Sequence, residues 1–200
     1  MTKLKICGLS RPCDVQFVNE AKPDYCGFVV NFPRSGRSVS PDQVRRLVRD
    51  LDPGILPVGV FVDQPPEAVA ALVNDGTLAL AQLHGHEDEG YLQALRRLTV
   101  KPILQAFQVK GEGALARAAV SSADLLLLDS GQGSGETFDW SLVKKLDRPF
   151  FLAGGLTPEN LPAAVRQVRP YAVDLSSGVE TDGRKDKNKI LAAVAAVRGA

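Results

Sequence analysis

The 200-residue sequence predicts a single-domain α/β protein, a closed (β/α)8 TIM barrel spanning residues 1–200. Three observations predict it. Runs of β-forming residues recur about every 20–30 residues, the length of a strand–loop–helix–loop unit. Several runs are apolar throughout instead of alternating, as parallel strands covered on both faces require, and Leu125-Leu126-Leu127-Leu128 is the plainest case. No linker or break in composition divides the chain. An open doubly wound sheet has the same alternation and is the rival architecture.

Eight strands are expected: Lys3–Cys7, Tyr25–Val30, Leu56–Val62, Leu78–Leu83, Pro102–Phe107, Asp124–Leu128, Pro149–Ala153 and Ala172–Leu175. Among the helices between them, the one after Ser40 has the clearest start. Ser40 is an N-cap residue, Pro41 fits the first helical position, and Gln43 completes a capping box. Val44, Leu47, Val48 and Leu51 then form one apolar stripe. Pro65-Pro66-Glu67 and His86-Glu87-Asp88 are weaker helix starts. Thr157-Pro158-Glu159-Asn160 repeats the cap-plus-proline pattern before Leu161, Val165 and Val168. The last helix carries Ile190, Leu191, Val194 and Val197.

Composition narrows the function. The chain is 44% hydrophobic and 24% charged with a formal net charge of +1, which argues against a nucleic-acid or membrane-surface binder. Cys7, Cys13 and Cys26 are too few and too clustered for a disulfide framework. The N-terminal Met1-Thr2-Lys3-Leu4-Lys5 has no signal-peptide apolar core, and no apolar run approaches the roughly 18 residues of a membrane span. A cytoplasmic location is expected.

In a closed barrel the reactive groups stand where strands end. The first run ends at Cys7, which is either a base or nucleophile or a small packed residue. The sixth ends at Leu128-Asp129, where a carboxylate after four leucines either caps a turn or works at the mouth. Gly131, Gly133 and Gly135 follow, either as a lid or as a surface loop, with Asp139 able to cap the next helix; their spacing is not that of a dinucleotide fingerprint. The seventh and eighth runs lead into Gly154-Gly155 and, past Asp174, into Ser176-Ser177-Gly178. These are glycine-rich turns at the place where barrels commonly hold phosphate. Arg34 and Arg37, after the second run, could each fork onto a carboxylate or simply be solvated. At the end of the fourth run, Gln82 can point into the barrel and His84 can line the mouth. His84 and His86 lack the further ligands of a metal site, so no metal is expected.

Taken in order, these segments resemble the phosphoribosylanthranilate isomerase family. The resemblance is carried by Lys5-Ile6-Cys7-Gly8-Leu9, Gly59-Val60-Phe61-Val62, Gln82-Leu83-His84-Gly85, Gly133-Ser134-Gly135 through Phe138-Asp139-Trp140, Ala153-Gly154-Gly155-Leu156 and Val173-Asp174-Leu175-Ser176-Ser177-Gly178-Val179-Glu180. It implies an Amadori rearrangement of N-(5-phosphoribosyl)anthranilate to 1-(2-carboxyphenylamino)-1-deoxyribulose 5-phosphate in tryptophan biosynthesis. No cofactor is implied, and the chain would act as a monomer or homodimer on a small phosphorylated substrate. The general base falls on Cys7 and the general acid on Asp129. Substrate contacts fall on Arg37, Gln82, His84, Asp174 and the phosphate loops holding Gly154, Gly155, Ser176, Ser177 and Gly178. Gly36 departs from the bulkier residue expected in that loop, which leaves Arg34 as an alternative to Arg37.

The chemistry requires opposite tuning. Asp129 has to be protonated before it acts, and Cys7 has to be at least partly thiolate, with a pKa near or below the free-thiol value of about 8.5. A pentulose-phosphate epimerase would want metal ligands at several strand ends, and a histidine-pathway isomerase would want two similar half-barrels with an aspartate at position 7. A phosphometabolite sensor would bind without turnover.

Overall fold

The computed structural model describes residues 1–109, 112–129, 140, 143 and 146–200. Eight parallel strands close into a ring: β1 (Lys3–Cys7), β2 (Tyr25–Val30), β4 (Leu56–Phe61), β5 (Leu80–Leu83), β6 (Ile103–Gln108), β7 (Leu125–Asp129), β8 (Phe150–Ala153) and β9 (Ala172–Leu175). Closure comes from β1, which pairs with β2 on one side and β9 on the other. A two-residue strand, β3 (Ser38–Val39), adds to β2, and a small hairpin, β10 (Glu180–Thr181) with β11 (Arg184–Lys185), follows β9. The sequence did not announce these three short strands.

Three barrel strands have the predicted limits, and the other five shift by one or two residues. One shift matters to the chemistry: Asp129 is the last residue of β7, not the first residue beyond it.

The described helices are α1 (Pro12–Ala21), α2 (Pro41–Arg49), α3 (Pro66–Asn74), α4 (Glu89–Leu98), α5 (Glu112–Val120), α6 (Leu161–Val168) and α7 (Lys187–Arg198). The Ser40 box forms as read: Gln43 N donates to Ser40 Oγ at 3.2 Å, and Ser40 N donates to Gln43 Oε1 at 2.8 Å. The helix stops at Arg49, so Leu51 packs on the core from beyond it. The start expected at Thr157 is displaced: α6 begins at Leu161, with Asn160 at the cap and Pro162 in the first turn. Two prolines could open this helix, and the use of Asn160 in the preceding loop selects the second.

The run of leucines follows from the alternation of strand side chains. Leu126 and Leu128 point outward into the layer between strands and helices, together with Leu4, Ile6 and Phe28. Leu127 points into the barrel with Tyr25, Val58, Leu80, Leu104 and Phe151. Burying each such side chain contributes about 1.5–3 kcal/mol. At the N-terminal end, Lys3 Nζ donates to Tyr171 Oη at 3.0 Å beside the Tyr25–Tyr171 hydroxyl pair, closing the floor. No helix among the described residues is long and apolar enough to cross a membrane.

Candidate active site

Because all eight strands run parallel, their last residues share one rim. Leu4 and Ile6 face outward, so Lys5 and Cys7 face inward, one above the other. Lys5 is fully buried, and its Nζ lies 2.8 Å from Asp174 Oδ2 on the paired strand. Opposite Cys7 on β2 stands Gly27. A Cβ there would lie 2.7 Å from Cys7 Sγ and 3.2 Å from Lys5 Nζ, so glycine is what leaves room for both groups.

Asp129 closes β7. Its row runs through Ala153 and Asp174 to Lys5, which sets the carboxylate and the Lys5–Asp174 pair at one level of the barrel. His84, just past β5, places Nε2 3.7 Å from Asp129 Oδ2, while its Nδ1 lies 2.9 Å from Gln82 Nε2. The amide can only donate there, so Nδ1 accepts and the neutral ring carries its proton on Nε2, toward Asp129. Burial holds the His84 imidazole below its ordinary value despite the upward pull of Asp129, and Lys5 and Asp174 also act on it. The thiol side and the carboxylate side therefore belong to one electrostatic neighbourhood. Gln82 Oε1 and Asp174 Oδ1 are buried without a hydrogen-bond partner among the described residues. Left unmet, each costs about 1–3 kcal/mol, and a ligand hydroxyl would satisfy either one.

The surroundings of the Cys7 thiol act in opposite directions. Burial pushes it up, Lys5 pulls it down, Asp174 pushes it up, and the net direction is upward. Removal from water outweighs the nearby cations.

Of the two arginines, Arg34 is exposed. Arg37 lies across Gly8, whose φ is +87° and whose added Cβ would meet Arg37 Cδ at 2.5 Å. Arg37 Nε donates to Glu180 Oε1 at 2.7 Å, and Nη2 donates to Glu180 Oε2. The buried Lys185 ties the same Glu180 to the backbone carbonyl of Ser176, 2.9 Å away.

The loops after β8 and β9 interlock. Gly154 and Gly155 adopt φ of +93° and +62°. A Cβ on Gly178 would fall 1.9 Å from Leu156 O. Asn160 Nδ2 donates to Gly155 O at 2.8 Å, and its Oδ1 accepts from Thr157 N at 2.9 Å. Ser176 Oγ donates to Cys7 O at 3.1 Å, so that hydroxyl proton is already engaged, while Ser177 is exposed. Beside His84 a cavity of about 650 Å³ opens between the loops after β5 and β6; its lining does not reach Cys7.

The residues singled out from sequence thus gather at one rim, except that Gly131, Gly133, Gly135 and Asp139 lie outside the described residues. No group of three or more potential metal ligands occurs among the described residues. Lys5, Gly27, Asn160, Glu180 and Lys185 were not assigned to the site from sequence. A lysine between Leu4 and Ile6, at an inward position of a buried strand, is a signal for Lys5. Lys185 had none, since only the hairpin brings it inside.

The family described as N-(5'phosphoribosyl)anthranilate (PRA) isomerase matches residues 4–196. A curated N-(5'-phosphoribosyl)anthranilate isomerase from Endomicrobium trichonymphae is 46% identical over 203 residues, covering 99% of each chain. The chain belongs to the phosphoribosylanthranilate isomerase family. Solved structures of this family superpose closely. One phosphoribosyl anthranilate isomerase, in complex with reduced 1-(o-carboxyphenylamino)-1-deoxyribulose 5-phosphate, is 35% identical with a TM-score of 0.86, covering 100% of both chains. Another, a monomer generated from the dimeric phosphoribosylanthranilate isomerase of Thermotoga maritima, is 36% identical with a TM-score of 0.87, again over 100% of both chains.

Proposed function

We propose that this chain is the phosphoribosylanthranilate isomerase of tryptophan biosynthesis, converting N-(5-phosphoribosyl)anthranilate to 1-(2-carboxyphenylamino)-1-deoxyribulose 5-phosphate with Cys7 as general base and Asp129 as general acid. The observation that carries this reading is placement. Thiol and carboxyl end β1 and β7 on one rim, and the two strands between them on the shorter arc, β8 and β9, bear the interlocked glycine loops.

Asp129 donates a proton to the ring oxygen as the C1–O bond breaks, leaving an imine. Cys7 then removes the C2 proton, giving an enolamine that tautomerises to the ketone. The phosphate sits on the loops of Gly154, Gly155, Ser177 and Gly178, with Ser176 fixing the loop against Cys7. The Nη1 side of Arg37 meets the anthranilate carboxylate while Glu180 holds the other side. Gln82 Oε1 and Asp174 Oδ1 accept hydrogen bonds from the sugar hydroxyls, and His84 presents its Nε2 proton beside Asp129. Anchors at both ends supply orientation. All of these residues lie in one chain, so a monomer suffices and a homodimer is compatible. A reducing cytoplasm suits a base that must remain a free thiol.

Loss of phosphoribosylanthranilate fluorescence tests the reading. Cys7→Ser and Asp129→Asn should each lower kcat by about 10²-fold or more while leaving the fold intact. Native turnover in both variants would refute the assignment.

A further inference from the structure

A thiol buried at a barrel mouth ionises poorly unless a cation shares its surroundings, and this barrel contains a cation that the proposed acid–base pair does not use. Lys5 is fully buried, lies on the same inward face two residues below Cys7, and is pinned at 2.8 Å by Asp174. Its ammonium and the Cys7 sulfur flank the same spot beside Gly27, at 3.2 and 2.7 Å from where a Cβ would stand. We propose that Lys5, held in place by Asp174, is the buried cation that stabilises the thiolate of Cys7, and is thereby a positioning residue for the base. This rests on the reading of Cys7 as base.

The other ionisable groups around the thiol do not fill this role. Arg37, across Gly8, is turned onto Glu180. Lys185 is held by Glu180 and the Ser176 carbonyl and is a lesser influence on Cys7 than Lys5. Cys26, on β2, is buried in the outer layer, where burial pushes its thiol up. Asp174 opposes thiolate formation, so its contribution is to hold the ammonium. Burial alone pulls Lys5 down, but the charges of Asp174 and Cys7 more than offset this, so Lys5 stays charged over the range in which a thiol titrates. When Cys7 loses its proton, the ammonium gains a second anionic neighbour, and the Lys5–Asp174–Cys7 group passes from net zero to minus one instead of from minus one to minus two.

The test is direct titration of the thiol by thiolate absorbance at 240 nm, taken as the difference between each chain and the same chain carrying C7S. Lys5→Met should raise the Cys7 midpoint by about one pH unit or more. Lys5→Met with Asp174→Asn, which leaves no unpaired buried charge if the single variant fails to fold, should raise it by less. Asp174→Asn alone should lower it. Midpoints at the native value in both Lys5 variants would overturn the proposal, because a merely structural lysine would change the melting temperature and not this ordering. The readout needs no turnover, so it is separate from the base assignment, which fails only if Cys7→Ser remains active.

Discussion

Replacing Gly178 with alanine adds one methyl group where two loop backbones meet closely. The new Cβ would stand 1.9 Å from Leu156 O, against the 3.0 Å below which such contacts essentially never occur. The obstacle is backbone, so no rotamer change relieves it. The β9 loop, the β8 loop, or both must move apart by about 1 Å, and neither yields freely. Asn160 clasps the β8 loop through Gly155 O and Thr157 N, while Ser176 ties the β9 loop to the Cys7 carbonyl. Overpacking of this kind costs about 1–3 kcal/mol in stability. A displacement of about 1 Å in the groups that position a substrate can cost on the order of 10²-fold in rate. Gly178→Ala should therefore lower the melting temperature, raise KM and weaken inhibition by inorganic phosphate. Gly36→Ala is the matched control, because a Cβ there meets nothing within 4 Å, and its kinetics should be native. The assay is steady-state fluorescence of substrate loss for both variants, with phosphate as competitor. A Gly178→Ala enzyme with native KM and native phosphate inhibition would refute the idea that these interlocked loops form the phosphate site.

Arg37→Ala should raise KM by about 10-fold or more, as loss of a charge-assisted hydrogen bond of about 1.5–3 kcal/mol implies, while the exposed Arg34→Ala should leave KM near native; the reverse result would move the carboxylate contact to Arg34. The two histidines should titrate on opposite sides of the ordinary value of 6.5 when followed by NMR, His84 below it because burial disfavours its cation and His86 above it because the exposed ring is bonded to Asp63; a His84 midpoint above 6.5 would contradict its neutral role beside Asp129. Because the His84 value is depressed in the fold, its contribution to stability should be present above pH 6.5 and fall away as the pH drops through and below it, which melting temperatures from pH 7 to 5 would register. Asn160→Ala should destabilise the chain by about 1–3 kcal/mol by leaving Gly155 O and Thr157 N without their partner and should also raise KM; unchanged values of both would remove Asn160 as the clasp.

The sequence by itself determined the strand–helix alternation, because strand and helix periods are local: a buried parallel strand has to be apolar on both faces, and the capping box of Ser40 and Gln43 lies within one helical turn; that the sheet closes into a ring was decided by the pairing of β1 with both β2 and β9. It also marked Cys7, Asp129 and the glycine turns as strand-end residues, since their places follow from where each apolar run stops. Only the tertiary structure decided what those residues meet. That Lys5 lies under Cys7 and against Asp174 depends on the pairing of β1 with β9, strands about 170 residues apart in the chain. That Arg37 is bound by Glu180, and that Lys185 is drawn inside to hold both Glu180 and Ser176, depends on a hairpin with no hydrophobic pattern to announce it. The direction in which the Cys7 thiol moves was settled in the same way. Its value is the balance of lost water against the charges of Lys5 on its own strand and Asp174 on the neighbouring one, and only the packing of the barrel fixes that balance.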